Sequence, residues 1–197
     1  GQGKRLMPYT KYVPKPMVSI DNRPFLEFIL ENLSSKGIKR YVILSGYLGD
    51  KIKDYFDSGE NWNIDIQYSK GPTEWDTAKR LWESRDLIDE NFLFLYSDNY
   101  INLDLKKLED HHFNSGKPLS LSLAKKKNGN IAINENSEIT KYDLDRSDPN
   151  MNLVEIGFMI ANKSRVIDYY DNKNSSFSKI IHQMTLENEV SGFKYHN

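Results

Sequence analysis

Cysteine is absent from all 197 residues. That excludes thiol catalysis, disulfide cross-links and cysteine-ligated zinc. Long apolar runs are also missing: none is long enough to cross a bilayer, and no signal peptide is visible, so the expected location is the cytoplasm. Neither sign of charge is in excess, with 27 Lys+Arg against 28 Asp+Glu and a net charge of −1. A general nucleic-acid binder would be more basic. The four histidines, His111, His112, His182 and His196, do not form a metal-spaced set with carboxylates and read as surface or packing residues. There is no internal repeat, low-complexity tract or evident linker. What remains suits one globular domain with a small annex at most, 38% hydrophobic and supplied with bulky material by 12 Tyr, 9 Phe and 3 Trp.

One local absence matters more: no acidic residue precedes Asp21. The first seventeen residues carry Lys4, Arg5, Lys11 and Lys15, glycines at 1 and 3, and prolines at 8, 14 and 16. The prolines forbid a continuous helix. Such a loop can bring bare backbone N–H groups and positive charge to a polyphosphate. The alternative is a basic surface loop stiffened by proline.

Gly1-x-Gly3-x-Arg5-Leu6, Pro8, Thr10 and Pro14-Lys15-Pro16 together fill every fixed position of G-x-G-x-R-L-x-P-x-T-x-x-x-P-K-P. This resembles the signature of the sugar-1-phosphate nucleotidyltransferases, the NDP-sugar pyrophosphorylases of the nucleotidylyl transferase superfamily. The resemblance implies an enzyme that transfers NMP from an NTP to a hexose or heptose 1-phosphate with release of pyrophosphate. It implies Mg²⁺ as cofactor, and an NTP and a sugar 1-phosphate as partners, without nucleic acid or membrane; a homo-oligomer stays open. It gives Arg5 the β- and γ-phosphates, Lys15 the α-phosphate and the sugar phosphate, and Gly1, Gly3 and Lys4 contact with the nucleotide. For Lys15 a solvent-exposed loop cation is the alternative.

Hydrophobic periodicity predicts strand and helix in alternation through the first half. A helix opens at Pro24, with Phe25, Phe28, Ile29 and Leu33 on one face, and stops at Gly37. Strands follow at 41–44 and 63–68 with a helix over Leu48–Phe56 between them. Next come a helix over 74–87, carrying Trp75 and Trp82 on its core face, the strand Phe92–Tyr96, and a helix over 105–113 capped by Asp104. The second half reads as strands at 119–124 and 130–133, paired across the Asn128-Gly129 turn, a strand at 154–160, helices over 163–170 and 177–186, and a last strand at 190–195. The expected class is α/β: a Rossmann-like, mostly parallel sheet with helices on both faces and a mixed α+β sugar-binding half, which the resemblance identifies as the nucleotide-diphospho-sugar transferase fold. Residues 1–197 read as one domain, about 1–115 for the nucleotide and about 116–197 for the sugar. In such sheets ligands gather beyond the carboxyl ends of the strands.

Asp98, in Tyr96-Ser97-Asp98-Asn99 at the end of the strongest strand, reads two ways: a carboxylate placed to hold Mg²⁺ against a triphosphate, or a turn-forming Asp-Asn pair. The resemblance favours the metal, since the family ends this strand in Gly-Asp-Asn, and it assigns Asn99 to the sugar. Thr77-Ala78 matches the end of a Gly-Thr-Ala element that contacts the base, with Asp76 at the glycine; Asp76 reads rather as a helix N-cap. Glu155-Ile-Gly157 matches a sugar-touching strand, with an edge-strand glutamate as the alternative reading of Glu155. A Glu-Lys-Pro element has no clear counterpart in 139–149, where Lys141 and Arg146 stand near its place.

The resemblance further implies a buried strand before the loop and a Trp-x-Asp-Ile-Gly motif with a second metal-binding aspartate after Asn197, so that the chain is expected to be cut at both ends. The altered base element and the missing aspartate leave an alternative: a domain of the same fold that binds nucleotide or NDP-sugar without turnover. A glycosyltransferase with an Asp-containing metal motif would lack the opening signature.

Overall fold

The computed structural model describes residues 3–171 and 176–195. The expectations for Gly1 and His196 therefore lie outside the described residues. The chain forms two compact units, Gly1–Trp75 with Tyr100–Asn102, and Asp76–Asn99 with Leu103–Asn197.

In the first unit the proline-punctuated opening becomes three separate 3-10 turns, Lys4–Leu6, Tyr9–Lys11 and Lys15–Met17. A two-residue hairpin follows, β1 (Ser19–Ile20) against β2 (Arg23–Pro24). Its turn residues Asp21 and Asn22 both have positive φ, 50° and 64°, as the tightest hairpins require. Pro24 ends β2 in extended conformation and serves as N-cap of α1 (Phe25–Ser35). The buried stripe of α1 is Leu26, Ile29, Leu30 and Leu33, one step round from the expected face. Phe28 instead lies under the Arg23 guanidinium, 4.7 Å from the ring centroid. Strands β3 (Arg40–Ser45) and β4 (Asp65–Lys70) pair in parallel, Arg40↔Asp65 through Ser45↔Lys70, with α2 (Asp50–Phe56) in the crossover between them. Ile52, Phe56, Ile64 and Ile66 are buried with the α1 stripe.

The second unit contains α3 (Thr77–Glu83), β5 (Asn91–Leu95), α4 (Leu105–Ser115), β6 (Leu119–Lys125), β7 (Ile131–Ile133), β8 (Ile139–Tyr142), β9 (Leu153–Asn162), α5 (Lys163–Asp168), α6 (Phe177–Leu186) and β10 (Val190–Lys194). Six of these strands make a mixed sheet in the order β10-β6-β9-β7-β8, with β5 also on β9. β10 runs parallel to β6, while β5, β6 and β7 are antiparallel to β9. β6 alternates Leu119, Leu121 and Leu123 with Ser120 and Ser122, and all five are buried, so both faces of the sheet are covered here. The serine face meets α4, where Ser120 contacts His112.

Two further expectations are corrected. β6 and β7 are not a hairpin. They flank β9, and the Asn128-Gly129 turn wraps around its start: Lys126 N–H donates to Asn152 O, Gly129 N–H to Met151 O and Asn130 N–H to Leu153 O, at 2.8–2.9 Å. A Cβ on Gly129 would stand 2.3–2.8 Å from the Leu153 backbone. The glycine is there for that approach, and Asn128 supplies the left-handed turn with φ 57°. Nor does Trp75 share a helix with Trp82. α3 starts at Thr77, and the Trp75 ring covers Gly71, where a Cβ would meet it at 2.2 Å. Trp82 stacks on Tyr170, 5.4 Å between centroids.

Candidate functional site

In the first unit, the opening loop is organised on the Gly3 carbonyl. It accepts the Thr10 hydroxyl at 2.8 Å and the Leu6 N–H at 2.9 Å. Gly3 is left-handed, φ 62°, and a Cβ there would lie 2.9 Å from Thr10 Cγ2. Thr10 is buried beneath the loop while Lys4 and Arg5 on the first 3-10 turn are exposed. Pro14 and Met17 are buried anchors on either side of half-buried Lys15, and Met17 N–H closes the turn onto Pro14 O at 2.8 Å. Glycine, threonine and the prolines thus shape a loop on which Lys4, Arg5 and Lys11 are exposed and Lys15 is half-buried.

In the second unit the structure brings together four residues singled out from the sequence. β9 bulges between Glu155 and Met159: β6 residues Leu121 and Leu123, two apart, pair with Met159 and Glu155, four apart. Gly157, φ 78°, sits in the bulge. Bulges of this kind re-aim side chains beside functional sites. The segment after β5 lies against it: Tyr96 N–H donates to Gly157 O at 3.0 Å, and Asn99 Nδ2 donates to Ile156 O at 3.1 Å. A Cβ on Gly157 would stand 3.0 Å from Asn99 Nδ2 and 3.1 Å from Tyr96 Cδ2. Glu155 accepts the Gly157 N–H through Oε2 at 2.7 Å. Burial pushes the Glu155 carboxyl above its ordinary range; the Gly157 N–H opposes this, while the negative charge of Asp98 adds to it and the positive charge of Arg146 subtracts. Asp98 and Asn99 are exposed, so Asp98 presents a carboxylate beside a half-buried second one.

Three groups of this corner had not been assigned to it from the sequence. Tyr96 is raised in pKa by burial, then by Glu155, Tyr142, Asp76 and Asp98. Tyr142 is raised chiefly by burial and also feels Glu155 and Arg146. Both phenols stay protonated donors at neutral pH. Of the two cations near the place of Glu-Lys-Pro, Lys141 is paired with Asp148 at 3.1 Å, whereas Arg146 is the one whose charge reaches Glu155. Arg146 stands at φ 52° in a loop gathered by the Asp143 carboxylate, which accepts from Asp145 N, Ser147 N, Ser147 Oγ and Asp148 N at 2.8–3.1 Å. Only strand pairing reveals this convergence.

Asp76 is the N-cap of α3, accepting the Thr77 N–H, as expected. Thr77 is then the first helical residue. Among the described residues no group of three or more His, Asp or Glu could enclose a metal ion, and no helix is long and apolar enough to cross a membrane. His182 Nδ1 lies 2.8 Å from Tyr142 O, a packing contact.

A model of the nucleotidyl transferase family matches residues 1–142. The D-glycero-alpha-D-manno-heptose 1-phosphate guanylyltransferase of Campylobacter jejuni is 36% identical over 109 residues, which are 55% of this chain and 49% of that enzyme. The chain thus aligns with about half the length of that curated relative. Glucose-1-phosphate cytidylyltransferase of Salmonella typhimurium is 29% identical over 204 residues, 91% of this chain and 78% of the enzyme. Among solved structures, UDP-glucose pyrophosphorylase from Acinetobacter baumanii superposes with a TM-score of 0.80 at 14% identity, covering 100% of this chain and 83% of that one. The fold is therefore that of the nucleotide-diphospho-sugar transferases.

Proposed function

Because the chain belongs to the nucleotidyl transferase family, we propose that it transfers NMP from an NTP to a sugar 1-phosphate, a hexose or heptose phosphate, releasing pyrophosphate. The observation that carries the reading is the corner where Asp98 and Asn99, after β5, meet the Glu155–Gly157 bulge of β9. An oxygen of the sugar phosphate attacks the α-phosphorus, the bond to the β-phosphate oxygen breaks, and pyrophosphate leaves in line. Such chemistry asks the protein for alignment and charge neutralisation.

Arg5 holds the β- and γ-phosphates, for which its planar fork is suited. Lys15 bridges the α-phosphate and the sugar phosphate. Gly1 and Gly3 let the backbone approach the nucleotide, with Lys4 and Thr77 beside it. Glu155 accepts sugar hydroxyls, and Asn99 and Gly157 shape that subsite. The nucleotide half would span about residues 1–115 and the sugar half about 116–197. Mg²⁺ fits as far as the donor set goes: it prefers one or two carboxylates completed by phosphate oxygens and water, and Asp98 is an exposed carboxylate with Glu155 already engaged by a backbone N–H. When bound, Mg²⁺ would offset charge on the phosphates.

The alternative, a domain that binds nucleotide or NDP-sugar without turnover, is favoured by one observation: Asp76 caps α3 where the family pattern has a base-contacting glycine. Pyrophosphate release with Mg²⁺, scanned over the common NTPs and a panel of sugar 1-phosphates, separates the two. The likeness to a heptose guanylyltransferase makes GTP with heptose 1-phosphate the first pair to try. Turnover with one pair, lost about 10³-fold in Arg5→Ala and abolished in Asp98→Asn, is the expected result. Binding of nucleotide or NDP-sugar with no release would refute catalysis by this chain.

A further inference from the structure

Away from this corner, α4 is tied to two strands by four side chains in a row. His111 Nε2 lies 3.1 Å from Ser191 Oγ, Ser191 Oγ 2.8 Å from Ser120 Oγ, and Ser120 Oγ 2.8 Å from His112 Nδ1. Ser120, Ser191 and His112 are 0%, 1% and 4% exposed, and His111 is half-buried. We propose that His111, Ser191, Ser120 and His112 form one directed hydrogen-bond chain that locks the two histidines into the same tautomer, and that acid breaks it, loosening α4 from β6 and β10.

The proton count carries the first part. Three contacts need three hydrogens, and the two hydroxyls supply two. One ring nitrogen must bring the third, and the other must accept. His111 enters through Nε2 and His112 through Nδ1. Opposite roles at those atoms mean that both rings carry hydrogen on Nε2, or both on Nδ1. A mixed pair leaves either two hydrogens for three contacts, with lone pairs facing at 2.8 Å, or four, with a buried hydroxyl hydrogen displaced from the chain.

The charged surroundings carry the second part. On α4 itself Lys106 pairs with Glu109 and Asp110, and Lys107 with Asp104. From the residue before β8, Glu138 bridges Ser191 through the backbone, but its carboxylate is held by Lys117 at 2.8 Å. On β9, Glu155 pairs in register with Leu123, on the face away from the serines. β6 and β10 bring Lys125 and Lys194 at their ends. The rings of Phe193 and Phe113 pack 5.7 Å and 5.3 Å from His111 and His112. Among the described residues no carboxylate is set against either imidazole. Burial holds His111 below its ordinary 6.5, and burial together with His111 does so for His112. With both folded values depressed, the unfolded chain takes up protons first. Stability is complete above about pH 6.5 and falls as pH drops, by up to about tenfold in the folding constant per pH unit for each histidine.

Long-range ¹H–¹⁵N correlation of the imidazoles in the full chain at pH 8 reads the tautomers directly. One shared tautomer is expected; one ring of each kind would overturn the chain. Amide exchange, corrected for intrinsic pH dependence, then follows the protein from pH 7.5 to 5.5. Protection in α4 and β10 is expected to drop at least tenfold while β3 and β4 keep theirs. Unchanged protection, or uniform loss, would overturn the acid release.

Discussion

The carboxylate of Glu155 folds back onto the N–H of Gly157, two residues on along the same strand, at 2.7 Å. This is a bond the pleat of a regular strand does not allow; the bulge and the left-handed Gly157 permit it. The bond uses one of the two carboxylate oxygens, Oε2.

Gly157→Ala is expected to break this arrangement. A Cβ would meet Asn99 Nδ2 and Tyr96 Cδ2 at 3.0 and 3.1 Å, at φ 78°. Strain of this kind costs about 1–3 kcal/mol. A lower urea midpoint with an unchanged m-value checks the stability; a raised KM for the sugar phosphate, with that for NTP unchanged, checks the site.

Glu155→Gln separates binding from stability. The folded-state pKa of Glu155 is raised, with burial as the main cause. The folded chain thus holds that proton more tightly, and stability from this group is complete below the ordinary 4.5 and lost as pH climbs through the raised value. The variant should match the parent in melting temperature at pH 4 and exceed it at pH 7. It should also lose about tenfold or more in affinity for sugar phosphate, the scale of one charge-assisted hydrogen bond.

Glu27 should show the opposite sign. It is buried in α1 yet accepts Arg23 Nε at 2.9 Å and the Tyr55 hydroxyl at 2.7 Å. Burial alone would raise its pKa; the bonds from Tyr55, Arg23 and Trp62 outweigh it and bring the value below the ordinary 4.5. The stabilisation is present above 4.5 and is lost as pH falls through the lowered value. Glu27→Gln should cost about 1.5–3 kcal/mol at pH 7 and flatten the acid limb of a stability–pH curve.

Gly129→Ala is the harshest change expected. Its Cβ would meet Leu153 backbone atoms, not a flexible side chain, at 2.3–2.8 Å. We expect a loss of about 3 kcal/mol or more, read as a fall in melting temperature, with the parallel pair β3–β4 unaffected by circular dichroism and amide exchange.

Local signals were legible where local physics decides. The period of α6 gave both its ends, Phe177 and Leu186, and Asp104 and Asp76 cap the helices they precede, as their side chains favour. The opening signature pointed to a loop, and Gly3 and Thr10 show why those residue types stand there. Less legible was whatever depends on strands meeting. Asn-Gly marks a turn but not what the turn goes around, so β6 and β7 looked like neighbours. β8, four residues reading Ile-Thr-Lys-Tyr with only its ends buried, carries too little pattern to stand out. Tyr96, Tyr142 and Arg146 reach Glu155 only through the bulge and the Asp143-centred loop, and neither has a sequence period.

The Asn128-Gly129 wrap also bears on the order in which the protein is made. β5, β6 and β7 all leave the ribosome before β9, and all three hydrogen bond to it. Until residue 162 has emerged, this sheet lacks the strand that holds its parts together, and β6, with its buried Leu-Ser alternation, has no antiparallel partner. Long-range pairing of this kind is slow and leaves strand edges open meanwhile. Nascent chains released before β9 should therefore aggregate more readily than those released after it.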